Sequence, residues 1–298
     1  MFPKNSAAFI TALGTPVDES GDLVEESFRL HVRHQLEHGI DGFLVSGSMG
    51  MMPALTWKTY IRSVEVAAQE ASGKAKIMVG VGDNSLERTL ERMKAVRDFP
   101  IDAFAATTPF YFFSSQKDLI HYFTKLADAS PLPFYLYDLP QVTKVKIELP
   151  TMLELSKHPK IAGAKCSHEP AFVRQLFDLT CGTGFEVISA QYDLVDVFLR
   201  YGITMQLDGF FSVMPAWLAE IKTAYAKGDF DAVTRRQRKM TALRNDFLPL
   251  SVFPAFTVAM NLLGFPGRFH PSHMKDLDDA PAARVRKVME EAGLLPRS

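Results

Sequence analysis

Phe134-Tyr135-Leu136-Tyr137-Asp138-Leu139-Pro140 and Ile161-Ala162-Gly163-Ala164-Lys165-Cys166-Ser167 decide how this chain reads. Each is a short apolar run that ends on a chemically capable residue and is then stopped by proline or polar residues. Runs of this length, aromatic-rich in the first and small in the second, read as strands buried on both faces of a parallel sheet. Between them residues 149–158 read as a helix, with Thr151 a candidate cap. The unit is strand–helix–strand. It sets Tyr137 and Lys165 at the C-terminal ends of their strands, the end from which catalytic groups project in parallel α/β folds.

A lysine that closes an apolar strand needs an explanation, because desolvating an ammonium is costly and lysine is almost never buried unpaired. One reading has Lys165 reaching out of the sheet end or pairing with an acid such as Glu169. The other makes it an amine nucleophile set in an apolar wall, able to form a Schiff base with a carbonyl substrate. The strand alone does not choose between them.

Outward from this unit the same alternation repeats. Residues 8–13, 42–46, 76–81, 103–107, 186–190 and 204–211 read as further strands, and amphipathic segments at 25–38, 57–71, 86–97, 117–129, 172–179, 194–200 and 216–226 read as helices. That alternation predicts a (β/α)8 TIM barrel over residues 1–227. A doubly wound open sheet is the runner-up, but no switch point or glycine-rich fingerprint supports it. Beyond Gly228 the pattern is wholly helical at 230–245, 252–263 and 281–292, so residues 228–298 are expected to pack beside the barrel or against another subunit.

The 298 residues are 47% hydrophobic and 22% charged with a formal net charge of -1, which suits one large core and gives no sign of nucleic acid or a membrane as partner. Cys166 and Cys181 are the only cysteines, too few for a disulfide framework, and a cytoplasmic setting is expected. Met1-Phe2-Pro3-Lys4-Asn5 lacks the apolar core of a signal segment.

In a barrel the strand ends converge on one mouth. They bring Gly47-Ser48-Met49-Gly50-Met51, Gly80-Val81-Gly82-Asp83-Asn84, Thr107-Thr108-Pro109-Phe110-Tyr111, Tyr137, Asp138, Lys165, Gln191-Tyr192-Asp193 and Asp208-Gly209. Over essentially its whole length the chain resembles the dihydrodipicolinate synthase and N-acetylneuraminate lyase family of Schiff-base barrels. The likeness rests on Gly47-Ser48-Met49-Gly50, Thr108-Pro109-Phe110-Tyr111, Tyr137-Asp138-Leu139-Pro140 and Gly163-Ala164-Lys165, with the Tyr137-to-Lys165 interval that the family shares. The resemblance implies that Lys165 forms the imine with pyruvate or another 2-keto acid, Tyr137 relays protons, and Ser48 holds the substrate carboxylate. Gly47, Met49 and Leu207, with Asp138 and Asp208 as strand-end acids that depart from the family pattern, are the candidate substrate contacts, and the resemblance implies a Tyr111 that reaches a neighbouring subunit's site in a homo-oligomer, a dimer or tetramer. No metal or organic cofactor is implied beyond the covalent imine on Lys165.

The departures from the family are informative. Met49 replaces the second loop hydroxyl, although its amide with that of Ser48 can still form a small anion nest. Met51 stands where the family has Glu. Val142 stands where the synthases carry the arginine that binds a dicarboxylic aldehyde, and Lys144 nearby is a poor replacement for a guanidinium fork. The absent arginine favours a neutral or sugar-derived aldehyde, as in keto-deoxy sugar acid aldolases or N-acetylneuraminate lyases, over dihydrodipicolinate synthesis proper. Dihydrodipicolinate synthase proper, a keto-deoxy sugar acid dehydratase using the same lysine and a non-catalytic ligand-binding relative are the alternatives. Asp138 and Asp208 could act as acids or hydrogen-bond a hydroxylated chain, or serve as strand-end caps and ion-pair partners.

Other candidates carry blander readings. His31, His34 and His38 share a helix on the outside of the barrel and are expected on a solvated face or an interface. His270 and His273 read as loop structure. Cys166 should point away from the pocket by alternation. Gly80-Val81-Gly82 reads as a tight turn, and Phe110, Phe112 and Phe113 with Tyr111 as a subunit contact.

Overall fold

The computed structural model describes residues 6–167 and 169–295; the Met1–Asn5 stretch discussed above lies outside them. Eight strands, β1 (Ala8–Ala12), β2 (Gly42–Val45), β3 (Lys76–Gly80), β4 (Ala103–Thr107), β5 (Phe134–Asp138), β6 (Ile161–Cys166), β7 (Glu186–Ser189) and β8 (Met205–Asp208), close into a parallel barrel in chain order. Between them run α1 (Glu25–Glu37), α2 (Trp57–Ala71), α3 (Leu86–Val96), α4 (Gln116–Ala129), α5 (Pro140–Thr143), α6 (Leu149–Leu155), α7 (Pro170–Thr180) and α8 (Val195–Tyr201). Then follow α9 (Pro215–Ala226), α10 (Phe230–Phe247), α11 (Val252–Leu262) and α12 (Asp279–Glu291). The open-sheet alternative is excluded by the β1–β8 pairing, in which Ile10 lies opposite Leu207.

Strand alternation builds two apolar layers. Inside the barrel lie Ala8, Ile10, Leu44, Met78, Tyr135, Ile188 and Leu207, while Phe9, Phe43, Val79, Phe104, Phe134 and Leu136 face the helices. Both faces are covered, which is why these segments read as continuous apolar runs. Gly80 has no room for a side chain, since a Cβ there would press into the carbonyl of Ser46. That close approach of β2 to β3 is the physical reason for the glycine turn. Helix starts follow local chemistry: Thr56, Ser85 and Asp229 accept hydrogen bonds from the first turns of α2, α3 and α10, and Ser115 with Asp118 forms a capping box on α4.

The differences from expectation have local causes. Thr151 does not cap α6; Pro150 begins the helix earlier, Glu148 occupies the cap position without a side-chain bond, and Thr151 is buried inside the first turn. The eighth strand stops at Asp208, and Phe210–Val213 turns as a 3-10 helix. The Leu139-Pro140 strand stop opens a single-turn helix, α5, that the sequence pattern had not distinguished. His31 is not on a solvated face: it has no exposed surface and packs on Phe265, because the segment after α11 folds back over α1. Among the described residues no helix is long and apolar enough to cross a membrane.

Candidate active site

The β5–β6 register sets Tyr137 opposite Lys165 and Asp138 opposite Cys166. One pair must therefore face the barrel axis and the other the helices. Tyr137 and Lys165 face inward. The Lys165 side chain is only 5% exposed, and its Nζ lies 3.6 Å from the centroid of the Tyr137 ring. Among the described residues no carboxylate forms an ion pair with it, so the Glu169-paired reading of this lysine is not what the fold adopts. The Tyr137 phenol donates to Ser48 Oγ at 3.4 Å, the long end of hydrogen-bond range.

Ser48 is delivered by a tight loop after β2. Ser46 and Met51 both take left-handed backbone angles, and the amides of Met51 and Met52 donate back to the carbonyls of Ser48 and Gly47. Among the described residues the amides of Ser48 and Met49 donate to no protein acceptor, which leaves two adjacent donors at the loop crest. Gly47 contributes only backbone, since a Cβ there would lie 2.8 Å from Leu44 Cδ2 and the residue does not line the cavity. The Met49 side chain does line it, packed against Gly209.

A cavity of about 400 Å³ opens above these groups. Ser48, Met49, Tyr137, Lys165, Asp208 and Gly209 line its barrel side, and Leu139, Gln141, Val142, Ser167, Gln191 and Asp193 form part of its rim. Arg244, Phe247, Leu248, Val252 and Phe253, from α10, α11 and the turn joining them, complete it. The C-terminal helices thus take part in the site, beyond packing beside the barrel.

Several expected contacts are corrected. Asp138 is fully buried on the outer side of β5, ion-paired with Lys146 and accepting the Ile147 amide at 3.0 Å, so alternation removes it from the cavity. Leu207 is a core residue of the barrel interior and does not reach the cavity. Tyr111, whose expected place is a neighbouring subunit's site, is not among these corrections and stands 77% exposed on the β4–α4 loop with Phe112 and Phe113. Lys144 turns back onto the carbonyl of Gln141. The mouth does hold a cation, Arg244. Sequence reasoning missed it because a helix so distant in the chain gives no local signal; the one hint is its separation from the basic run Arg235–Lys239, next to an apolar stretch.

Two further groups have shifted acidities. Burial raises the carboxyl pKa of Asp208 above its ordinary value, partly offset by the Phe210 amide it accepts at 2.8 Å and by Lys165 and Arg244 nearby. Cys166, on the helix-facing side, is pushed up to about 12 by burial and then by Asp138.

Comparison with known proteins places this architecture. The model of the dihydrodipicolinate synthetase family matches residues 5–291. The chain belongs to that family. It is similar to the 4-hydroxy-tetrahydrodipicolinate synthases of Acidiphilium cryptum (strain JF-5), 26% identical over 286 residues covering 96% of this chain and 98% of that one, and of Pelobacter propionicus, 28% identical over 289 residues with the same two coverages. Among solved structures, dihydrodipicolinate synthase from Aquifex aeolicus superposes with a TM-score of 0.90 at 22% identity, covering 98% of this chain and all of that one. The prophage protein YagE from E. coli K12, a member of the same family solved in complex with pyruvate, superposes with a TM-score of 0.90 at 20% identity over 97% of this chain and 99% of its own. These structural likenesses speak for the fold. Family membership makes this protein a dihydrodipicolinate synthase-like lyase.

Proposed function

We propose that the protein is a class I aldolase that condenses pyruvate, or another 2-keto acid, with an aldehyde, or cleaves the corresponding adduct. The observation that carries this reading is the Lys165 Nζ, without an ion-pair partner among the described residues, held over the Tyr137 ring, with Tyr137 hydrogen-bonded to Ser48 in the same cavity. The amine attacks the keto carbon and water leaves, giving an imine on Lys165. Tyr137 removes a proton from the adjacent methyl carbon, and the resulting enamine attacks the aldehyde carbon. The new alkoxide takes the proton back through Tyr137 and Ser48, and hydrolysis of the imine frees the lysine. A phenol ordinarily holds its proton to about pH 10, so this shuttle depends on the neighbouring hydroxyl and the nitrogen of the imine. The amides of Ser48 and Met49 hold the keto acid's carboxylate, and the imine on Lys165 is the only covalent cofactor the reading invokes.

The aldehyde is read as sugar-derived. Val142 is 61% exposed on the rim where the synthases of the family place an arginine, and Gln141, Gln191, Asp193 and Asp208 offer hydrogen bonds to hydroxyls. Asp208 also supports a second reading: a carboxyl whose pKa is raised by burial suits a general acid in dehydration of a keto-deoxy sugar acid. The exposed Tyr111, Phe112 and Phe113 are read as the contact through which copies of this chain associate.

The test is borohydride trapping. Incubation with pyruvate, reduction and mass spectrometry should give an adduct on Lys165 that is lost in Lys165→Ala. No adduct with pyruvate or larger keto acids, or turnover by the alanine variant, overturns the proposal. Product profiling with an aldehyde panel and with keto-deoxy sugar acids separates aldolase from dehydratase.

A further inference from the structure

The helix α10 is fastened along one face to the loop after β7 and the start of α8. Thr234 Oγ1 donates to Asp196 Oδ2 at 2.8 Å, Gln237 Nε2 donates to the carbonyl of Tyr192 at 3.0 Å, the Tyr192 phenol donates to the carbonyl of Met240, and Arg244 Nη1 donates to Asp193 Oδ2. Positions 234, 237, 240 and 244 fall at helical spacing on a single stripe. A latch of this length leaves the end of α10 little freedom to slide or roll against the barrel. Its last rung is Arg244, whose guanidinium carbon sits 5.8 Å from the centroid of the Tyr192 ring and whose side chain lines the cavity.

Among the described residues Asp193 is the only hydrogen-bonding partner of this guanidinium, so most of its five N–H donors are uncommitted. Its side chain keeps 40% exposure, enough for a ligand to meet the free edge. The charge is already balanced by Asp193. The group therefore offers a rigid array of donors with little net charge, which favours neutral acceptor oxygens over a second carboxylate; an added anion would also face Asp193 itself.

Resting on the aldolase reading above, we propose that Arg244 is the residue that selects the second substrate, donating hydrogen bonds to the hydroxyl oxygens of a neutral hydroxylated aldehyde while Asp193 holds it in place. The C-terminal segment would then set specificity while the barrel does the imine chemistry. Arg244 is a binding residue in this account and takes no part in the proton shuttle.

The test uses the full chain with pyruvate and four aldehydes: glyceraldehyde, propionaldehyde, benzaldehyde and succinic semialdehyde. Exposed ion pairs add little to stability, so Arg244→Ala should fold. The expected result is a roughly 10- to 100-fold fall in kcat/KM for glyceraldehyde, the range for losing a hydrogen bond from a charged donor, carried mainly by KM. Propionaldehyde, which lacks the hydroxyls, should change little, and trapping of pyruvate on Lys165 should not change at all. Arg244→Lys, which keeps a donor and loses the fork, should recover part of the loss.

Three results overturn the assignment: equal losses with every aldehyde, wild-type preference for propionaldehyde or benzaldehyde over glyceraldehyde, or the largest loss falling on succinic semialdehyde. Absence of the Lys165 adduct in the wild type overturns the aldolase reading, and this one with it. An intact adduct with one of the three results above overturns the role of Arg244 alone.

Discussion

Acidification should cost this protein stability through one histidine. His31 is fully buried on α1, its ring 5.3 Å from that of Phe265, and among the described residues neither ring nitrogen has a hydrogen-bond partner. Burial, with a smaller push from His34, lowers its pKa from 6.5 to about 3. Between those values the folded chain keeps the ring neutral while the unfolded chain binds a proton. The unfolded state thus holds more protons, and stability falls as pH drops through that window. At one pKa unit per 1.36 kcal/mol, moving from neutrality to about pH 5 removes on the order of 2 kcal/mol. His31→Leu deletes this term. It breaks no hydrogen bond and removes two unpartnered polar atoms, so its cost at neutral pH should be small. The assay is urea denaturation of both proteins at about pH 7.5 and about pH 5, at one protein concentration, comparing the two losses. Glu25, Glu70 and Asp83, whose pKa values are lowered by arginine partners, also contribute acid sensitivity, but they do so in both proteins and cancel in the difference. The wild type should lose about 2 kcal/mol more than the variant. Equal losses would refute the reasoning.

Gly163→Ala should damage activity more than its size suggests: a Cβ there meets the carbonyl of Glu186 and lies 2.9 Å from Tyr135 Cε1, so β6 must shift two residues before Lys165. Overpacking of this kind costs ~1–3 kcal/mol, and a misplacement near 1 Å costs roughly 100-fold in rate, both readable from melts and steady-state kinetics; wild-type turnover would contradict the account. Iodoacetamide on the native protein should label the exposed Cys181 and spare Cys166, whose thiol is buried and pushed up to about 12, with mass spectrometry as the readout. The double change Phe112→Ser and Phe113→Ser should shift the protein toward a smaller species in size-exclusion chromatography with light scattering, since both rings stand more than 70% exposed in the single chain; an unchanged mass would remove the loop from the interface.

The barrel was legible because each strand is covered on both faces, so burial writes itself into the sequence as short apolar runs between helical stripes. Tyr137 and Lys165 were legible for the same reason: a phenol and an amine closing such runs stand out against an apolar background. Period-two alternation was enough to send Cys166 to the outer wall, and Asp138 obeys the same rule, although as a strand-end acid it was expected at the mouth. Local propensity could not show that Pro150 displaces the cap from Thr151, because that depends on where the preceding loop leaves the chain.

Arg244 is the opposite case. It enters the cavity because α10 lies along α8 and α9 and is latched to the loop at Tyr192 and Asp193, contacts between residues about 50 apart in the chain. The burial of His31 beneath Phe265 arises in the same way. Side-chain periodicity reports only which face of an element is dry, and the partner that makes it dry is chosen by packing across the whole chain. The sequence alone therefore determined the barrel and the placing of a lysine and a tyrosine at neighbouring strand ends; which distant side chains stand around them was decided only when the C-terminal helices closed over the mouth.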